Sequence, residues 1–298
     1  MKTDKKLILF ALPGNEDLTE KIASQVAAEI GKTEIRLFPD GESYVRVLSD
    51  VKDKYVVLIC TLNQPNEKFL PLYFLSKAVK KQGAKSVCLV APYLAYMRQD
   101  KVFKPGESVT SHCFGEIVST FVDSIITVDP HLHRRKSLSE IYSIPNEVVH
   151  ATGHIADWIN KNIENPVLIG PDGESEQWVS EVAFKAKVPY TVLQKVRSGD
   201  RNVEVSVPQI DEYKNHTPVL VDDIISTART MIETAKHLKK LEMKPPICIG
   251  VHAVFASSAM PDLLSAGVKK VVTCNTIPHL CNDIDISDLF TDFINNLG

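Results

Sequence analysis

The 298-residue sequence predicts an α/β protein of two similar units, each a mostly parallel sheet flanked by helices. Three observations predict it. Short β-branched runs alternate with helix-period segments from end to end, the pattern of strands joined by crossover helices. The length exceeds what one hydrophobic core usually serves and sets a prior of two domains of about 150 residues. The halves also echo one another. VVLICT (56–61), a helix and QGAKSVCLVAPY (82–93) parallel VLVDD (219–223), a helix and KPPICIGVHAVF (244–255), and QGAKSVCLVAP also resembles AGVKKVVTCNTIP (266–278).

Taken in order, residues 7–12 (LILFAL) form the first strand. Lys2, Lys5 and Lys6 precede it, but Pro13-Gly14-Asn15 ends the apolar run too soon for a signal peptide. Residues 17–30 follow as a helix, with Leu18, Ile22, Val26 and Ile30 on one face. A Pro/Gly turn at 38–42 leads into a strand at 43–48. A strand at 56–61, a helix at 69–82, a strand at 86–91, a helix from Ser111 and a strand at 124–128 complete the first half. The second half has strands at 167–170, 191–193, 219–221, 247–251 and 271–274, with helices starting near Ser175, Thr227 and Ser257. The unit boundary falls near residues 150–152, giving domains 1–150 and 151–298.

Composition narrows the function. Hydrophobic content of 44% and charged content of 24% are those of an ordinary globular protein. A net charge of −3 gives no electrostatic case for nucleic acid or a membrane surface, and no stretch approaches the ~18 apolar residues of a membrane span. Any phosphate ligand must therefore be met by a local cluster or by metal ions. Cys60, Cys88, Cys248 and Cys274 lie in strand-like runs without CxxC spacing, which predicts reduced core thiols and a cytoplasmic protein rather than disulfides or zinc.

The stretch 219–230, VLVDDIISTART, concentrates the chemistry. A buried parallel strand ends in Asp222 and Asp223, and a hydroxyl-rich turn, Ser226-Thr227-Ala228-Arg229-Thr230, opens a helix. Carboxylates at a strand's carboxyl end can accept hydrogen bonds from sugar hydroxyls, and a helix N-terminus with added hydroxyl donors suits a phosphate. Taken alone, the same residues also describe ordinary helix capping.

Other stretches carry groups that are unremarkable singly. FPDGE (38–42) is a turn. YMRQDK (96–101) concentrates donors, and the Pro- and Gly-containing 102–110 that follows has the composition of a mobile lid. VDPHLHRR (128–135) places two histidines at i and i+2, without third and fourth ligands at zinc spacing. GPDGE (170–174) puts Asp172 at a strand end, and QKVR (194–197) ends the strand at 191–193, where Lys195 and Arg197 share a face, or belong to an exposed strand of alternating charge.

In combination, FPDGE, RQDK with FKPGE, VDPH, GPD, KVR, VDDIIST and NTIPH (275–279) resemble the ribose-phosphate diphosphokinase family over nearly the whole chain. The KVR spacing and the FKPGE segment look closer to its archaeal-like branch. The resemblance implies two phosphoribosyltransferase-like domains, an ATP side with the lid 102–110 in 1–150 and a ribose 5-phosphate side in 151–298. It implies transfer of the β,γ-diphosphoryl group of ATP to the anomeric hydroxyl of ribose 5-phosphate. By that resemblance Asp222 and Asp223 hold the ribose, and Ser226, Thr227, Ala228, Arg229 and Thr230 form the 5-phosphate loop. Phe38, Asp40 and Glu42 meet adenine across a subunit interface, which implies a homo-oligomer of at least two chains. Arg98 and Gln99 contact the nucleotide, and His131 and Asp172 hold the Mg²⁺ of ATP. Lys195 and Arg197 steady the transferring group and are the catalytic pair.

One departure stands out. The family's turn often carries glycine where this chain has Ala228 and Arg229, which restricts the loop's backbone. The alternatives are a type I phosphoribosyltransferase, which would match only VDDIIST, and a non-catalytic regulatory homologue, which would be expected to have lost Lys195, Arg197, His131 or an aspartate.

Overall fold

In a computed structural model the chain divides into two compact units, Met1–His150 with Ser287–Gly298, and Ala151–Ile286. The structure describes residues 6–132, 134–170, 173, 176–198, 202–206, 210–256 and 258–297, with the backbone alone at 194–198, 202–206, 210 and 211.

The first unit begins β1 (Leu7–Ala11), α1 (Glu16–Val26), β2 (Glu29–Ile30), and continues with a hairpin of β3 (Thr33–Leu37) and β4 (Ser43–Val47). Then come β5 (Tyr55–Ile59), α2 (Pro65–Lys81), β6 (Ser86–Ala91), α3 (Thr110–Ser119), β7 (Ser124–Val128) and β8 (Asn146–Val149). Among the described residues the main sheet runs β2-β1-β5-β6-β7-β8, every pair parallel. Leu58, Val57 and Leu89 are fully buried, as strands covered on both faces require. Each such side chain contributes about 1.5–3 kcal/mol.

The second unit repeats the plan. It comprises α4 (Thr152–Asn162), β9 (Pro166–Gly170), α5 (Glu176–Ala186), β10 (Tyr190–Val192) and a hairpin of β11 (Gln194–Ser198) and β12 (Asn202–Ser206). β13 (Thr217–Ile225), α6 (Arg229–Lys240), β14 (Ile247–Ala253), α7 (Ala259–Ser265), β15 (Lys270–Cys274) and β16 (Asn282–Ile284) follow. Its sheet runs β10-β9-β13-β14-β15-β16, again all parallel. β5 and β13 hold the third place in their sheets, and β6 and β14 the fourth, so the first of the two sequence echoes is a topological one. The second is not, since β15 lies one place further out than β6. The hairpins also correspond: each enters after an edge strand and before the third strand of its sheet.

Four expectations need correction. Ile30 does not extend α1. Ala27 turns left-handed (φ 51°), Ala28 donates to the Ala23 carbonyl at 3.1 Å, and Ile30 pairs with Leu9 as part of β2. The strand expected at 219–221 runs from Thr217 to Ile225, because Asp222, Ile224 and Ile225 continue its ladder with Gly250, His252 and Ala253. The QKVR segment does not close the strand before it but starts a separate antiparallel hairpin. Ser287–Gly298 belongs with the first unit rather than the second: α8 (Thr291–Asn295) packs against α1, and Gln25 Nε2 donates to Ser287 Oγ at 3.0 Å. The helix starts expected at Ser175 and Ser257 lie outside the described residues.

All six cysteines are free thiols, and burial pushes Cys60 and Cys88 up to about 12. A thiol whose folded pKa exceeds its unfolded value, 9.0, stabilises the fold below that value and loses the contribution as pH rises through the folded one. Unfolding free energy measured in urea should therefore fall by about 1.4 kcal/mol per pH unit for each such thiol in that window. Lys68, lowered by burial, opposes this, because a depressed ammonium adds stability as pH rises. Cys88→Ala isolates one thiol: its pH slope should be shallower than wild type by that single share.

Candidate active site

In each sheet the chain runs outward from the first strand in one direction and then reverses, which opens a crevice at the carboxyl ends of β1 and β5, and of β9 and β13. In the second unit β13 delivers Asp222 and Asp223 to that edge, both half-buried. Successive strand residues face opposite sides of a sheet, so the two carboxylates straddle β13. The Asp223 N–H donates to Asp222 Oδ1 at 3.0 Å, which fixes that carboxylate against its own backbone. Opposite Asp222 stands Gly250, where an added Cβ would come within 2.6 Å of the Ile225 side chain. The close approach of β14 beside the acid pair requires glycine there, a position sequence reasoning missed.

Beyond Ile225 the chain is stitched to the segment after β14: Phe255 and Ala256 donate to the carbonyls of Ile225 and Ser226 at 2.9 and 3.1 Å. Ala228 then takes the left-handed conformation (φ 55°, ψ 16°) as the N-cap of α6, two residues later than the helix start expected at Thr227. Its carbonyl accepts from Ile232 at 2.9 Å. An alanine offers no side-chain acceptor to the first-turn N–H groups, so their partners are other groups or an anion. Ser226 and Thr230 are half-buried and Thr227 and Arg229 exposed, all on this one turn.

Ala228 thus sits where glycine is at ease, and the left-handed region costs an L-residue about 1–2 kcal/mol. Ala228→Gly should raise the unfolding free energy by about 0.5–1 kcal/mol, the strain relief exceeding the entropy glycine adds to the unfolded chain. Ala228→Val should lower it. Denaturant midpoints of the two variants check the pair of signs.

Asp172 lies outside the described residues. Lys195 and Arg197 stand two positions apart on β11, opposite Val205 and Val203 of β12, with their side chains outside the described part of the structure.

In the first unit FPDGE closes the β3–β4 hairpin. Phe38 donates its N–H to the Glu42 carbonyl at 2.7 Å, Asp40 Oδ1 accepts from the Glu42 N–H at 3.2 Å, and Gly41 supplies the left-handed turn (φ 92°). The Phe38 ring is exposed, edge-on to Tyr44 at 5.9 Å, with the Arg36 guanidinium over it at 4.8 Å. Arg98 and Gln99 occupy the loop after β6, and Gln99 is held by the Ser111 N–H (3.3 Å) and Thr110 Oγ1 (3.4 Å) at the start of α3. The segment 102–110 begins folded on its own acid: Glu107 Oε2 accepts from the N–H groups of Phe103 and Lys104 at 2.8 and 2.9 Å.

His131 follows β7 in a strained turn. Both it and Asp129 are left-handed (φ 58° and 35°), and its N–H donates to the Asp129 carbonyl at 2.9 Å. The Asp129 carboxylate is buried and 2.7 Å from His150 Nδ1. At the crevice itself sits a network that sequence reasoning missed. Asn15 Oδ1 accepts from the Thr61 N–H at 2.8 Å, and Lys68 Nζ donates to the Thr61 carbonyl at 3.0 Å and to Asn63. Among the described residues no group of three or more His, Cys, Asp and Glu is placed to hold a metal ion. Of the two residues that the resemblance assigns to Mg²⁺, His131 lies in the described turn after β7, and a Mg²⁺ carried by a triphosphate needs only one or two protein ligands, which oxygen and imidazole donors of this kind would supply.

Comparison with known proteins separates the readings. Residues 7–121 match the model of the N-terminal domain of ribose phosphate pyrophosphokinase, and 137–287 match the phosphoribosyl transferase domain. A ribose-phosphate pyrophosphokinase of Methanopyrus kandleri is 31% identical over 98% of this chain and 100% of its own. The chain belongs to the ribose-phosphate pyrophosphokinase family. A second pyrophosphokinase, from Pyrococcus abyssi, is 30% identical over 98% of each chain. The fold is also that of the phosphoribosylpyrophosphate synthetase of Mycobacterium smegmatis, with a TM-score of 0.83, 24% identity, and coverage of 97% of this chain and 98% of that one. Membership by a match spanning both domains disfavours the type I phosphoribosyltransferase reading, for which only the second domain would be needed.

Proposed function

We propose that the protein makes 5-phosphoribosyl 1-diphosphate and AMP from ATP and ribose 5-phosphate. The anomeric hydroxyl attacks the β-phosphorus, a new C1–O–P bond forms, the bond to the α-phosphate oxygen breaks, and the hydroxyl proton is released. The observation that carries this reading is the acid pair and phosphate turn at the crevice of a second domain, in a chain whose first domain matches the pyrophosphokinase-specific model.

In this reading Asp222 and Asp223 accept from the ribose hydroxyls, while the 226–230 turn and the α6 N-terminus receive the 5-phosphate. Phe38, Asp40 and Glu42 serve adenine, and Arg98 and Gln99 the nucleotide. His131 and Asp172 hold Mg²⁺, which when bound neutralises phosphate charge on ATP. Lys195 and Arg197 offer fixed positive charge where charge develops on the transferring group. The segment 102–110 excludes water, so that diphosphoryl transfer is not lost to hydrolysis. No helix of the described chain is long and apolar enough to cross a membrane.

Purified protein given Mg²⁺, ATP and ribose 5-phosphate should release AMP in step with 5-phosphoribosyl 1-diphosphate. Release of ADP, or no sugar-dependent nucleotide turnover, would reject the reading. A homo-oligomer is part of it, supported by an exposed apolar face on the first unit. There α2 presents Leu70 and Phe74, α3 presents Ile117, and between the helices a pocket of about 330 Å³ is lined by Phe69 and Phe114. Leu70→Asp with Phe74→Asp should give a monomer by sedimentation and abolish activity.

A further inference from the structure

We propose that Asp100 and Arg134 form a positioning pair that sets the nucleotide-contact loop after β6 against the His131 loop after β7. The inference rests on the function proposed above. The two residues are 34 apart in sequence but follow neighbouring strands. Arg134 Nη1 lies 3.3 Å from each carboxylate oxygen of Asp100, and Arg135 Nη2 donates to the Asp100 carbonyl at 3.0 Å. The Asp100 side chain is only 7% exposed. A carboxylate withdrawn from water must be neutralised and hydrogen-bonded, so Asp100 commits Arg134 to this geometry.

The consequence is positional. Arg98 and Gln99 immediately precede Asp100, and His131 precedes Arg134 by three residues. One carboxylate and two guanidinium groups therefore cross-link the backbone that carries the nucleotide contacts to the backbone that carries the metal ligand. The same Arg134 guanidinium lies 5.8 Å from the Phe103 ring, with Lys101 Nζ 5.2 Å from that ring, which ties the first residues of 102–110 to the clamp. Loop geometry of this kind matters because a misplacement of about 1 Å at a reacting group can cost about 10²-fold in rate.

The test compares wild type with Arg134→Met, Asp100→Asn and the double variant, as full-length protein with Mg²⁺, ATP and ribose 5-phosphate. Each single variant should lower kcat/KM for ATP by about 10²-fold, leave KM for ribose 5-phosphate unchanged, and the double variant should lose no more than either single one. Trypsin should cleave after Lys101, in the bond to Val102, faster in each variant, a readout independent of turnover. Arg134→Lys, which keeps the charge, should recover part of the loss seen in Arg134→Met. If Arg134 touched ATP phosphates directly, Arg134→Met would lose activity and Asp100→Asn would not, which overturns the pairing. Wild-type constants and cleavage in both single variants, or a folded Arg134→Lys no better than Arg134→Met, overturn it too. Should Arg134→Met fail to fold, Asp100→Asn and Arg134→Lys carry the same comparisons. Wild-type protein that releases no AMP rejects the proposed function instead, and the trypsin comparison then still decides the clamp.

Discussion

Lys195→Ala is expected to lower kcat by about 10²–10³-fold while the KM values for ATP and ribose 5-phosphate change little. β11–β12 enters the second unit at the place where β3–β4 enters the first, after an edge strand and before the central strand that opens the crevice. A hairpin at that place can reach over the carboxyl edge of its sheet, and β11 carries Lys195 and Arg197 in its sequence two positions apart. The protein's net charge of −3 gives no general attraction for a triphosphate, so charge stabilisation must come from placed groups of this kind. A preorganised cation acts mainly where charge develops in the transition state, which is why the loss should appear in kcat rather than in binding. Lys195→Arg should recover part of the rate, since it keeps the charge but changes its shape. Initial rates of AMP release decide the matter, and full turnover by the alanine variant would falsify the role.

What the sequence made legible follows the same physics. Buried parallel strands announce themselves, because residues covered on both faces must be apolar throughout: 86–91 and 124–128 match β6 and β7 to the residue. β3 did not announce itself. Its sequence TEIRL alternates, it is half-exposed, and it is stabilised by one partner strand and by Ile35 against the core. Boundaries went astray where the backbone turns left-handed without glycine, at Ala27 and again at Ala228, since alanine gives no sign of a stop. The acid pair and the hydroxyl turn were readable because they are contiguous. The Asp100–Arg134 clamp, the Asn15–Thr61–Lys68 network and Asp129–His150 were not, each joining residues that only the fold brings together.

The acid pair allows the second large prediction. Asp222→Asn and Asp223→Asn should each lower kcat/KM for ribose 5-phosphate by about 10–100-fold, with KM for ATP at saturating sugar unchanged, because a hydrogen bond to a charged group is worth about 1.5–3 kcal/mol. The amide keeps the shape of the carboxylate but offers one acceptor oxygen instead of two. The two substitutions need not be equal. Asp222 already accepts the Asp223 N–H through Oδ1, so its amide variant can turn its oxygen to that bond and present only N–H groups to the sugar. Asp223, on the other side of β13, loses one acceptor and keeps the other. Asp222→Asn should therefore be the more damaging change. Ribose 5-phosphate at about 100 times its wild-type Kd should stabilise the wild-type fold by about 2.7 kcal/mol and the variants by less, so melting with and without the sugar measures the loss apart from catalysis. Undiminished protection in both variants would remove the pair from the sugar site, and with it the basis for assigning the second unit to ribose 5-phosphate.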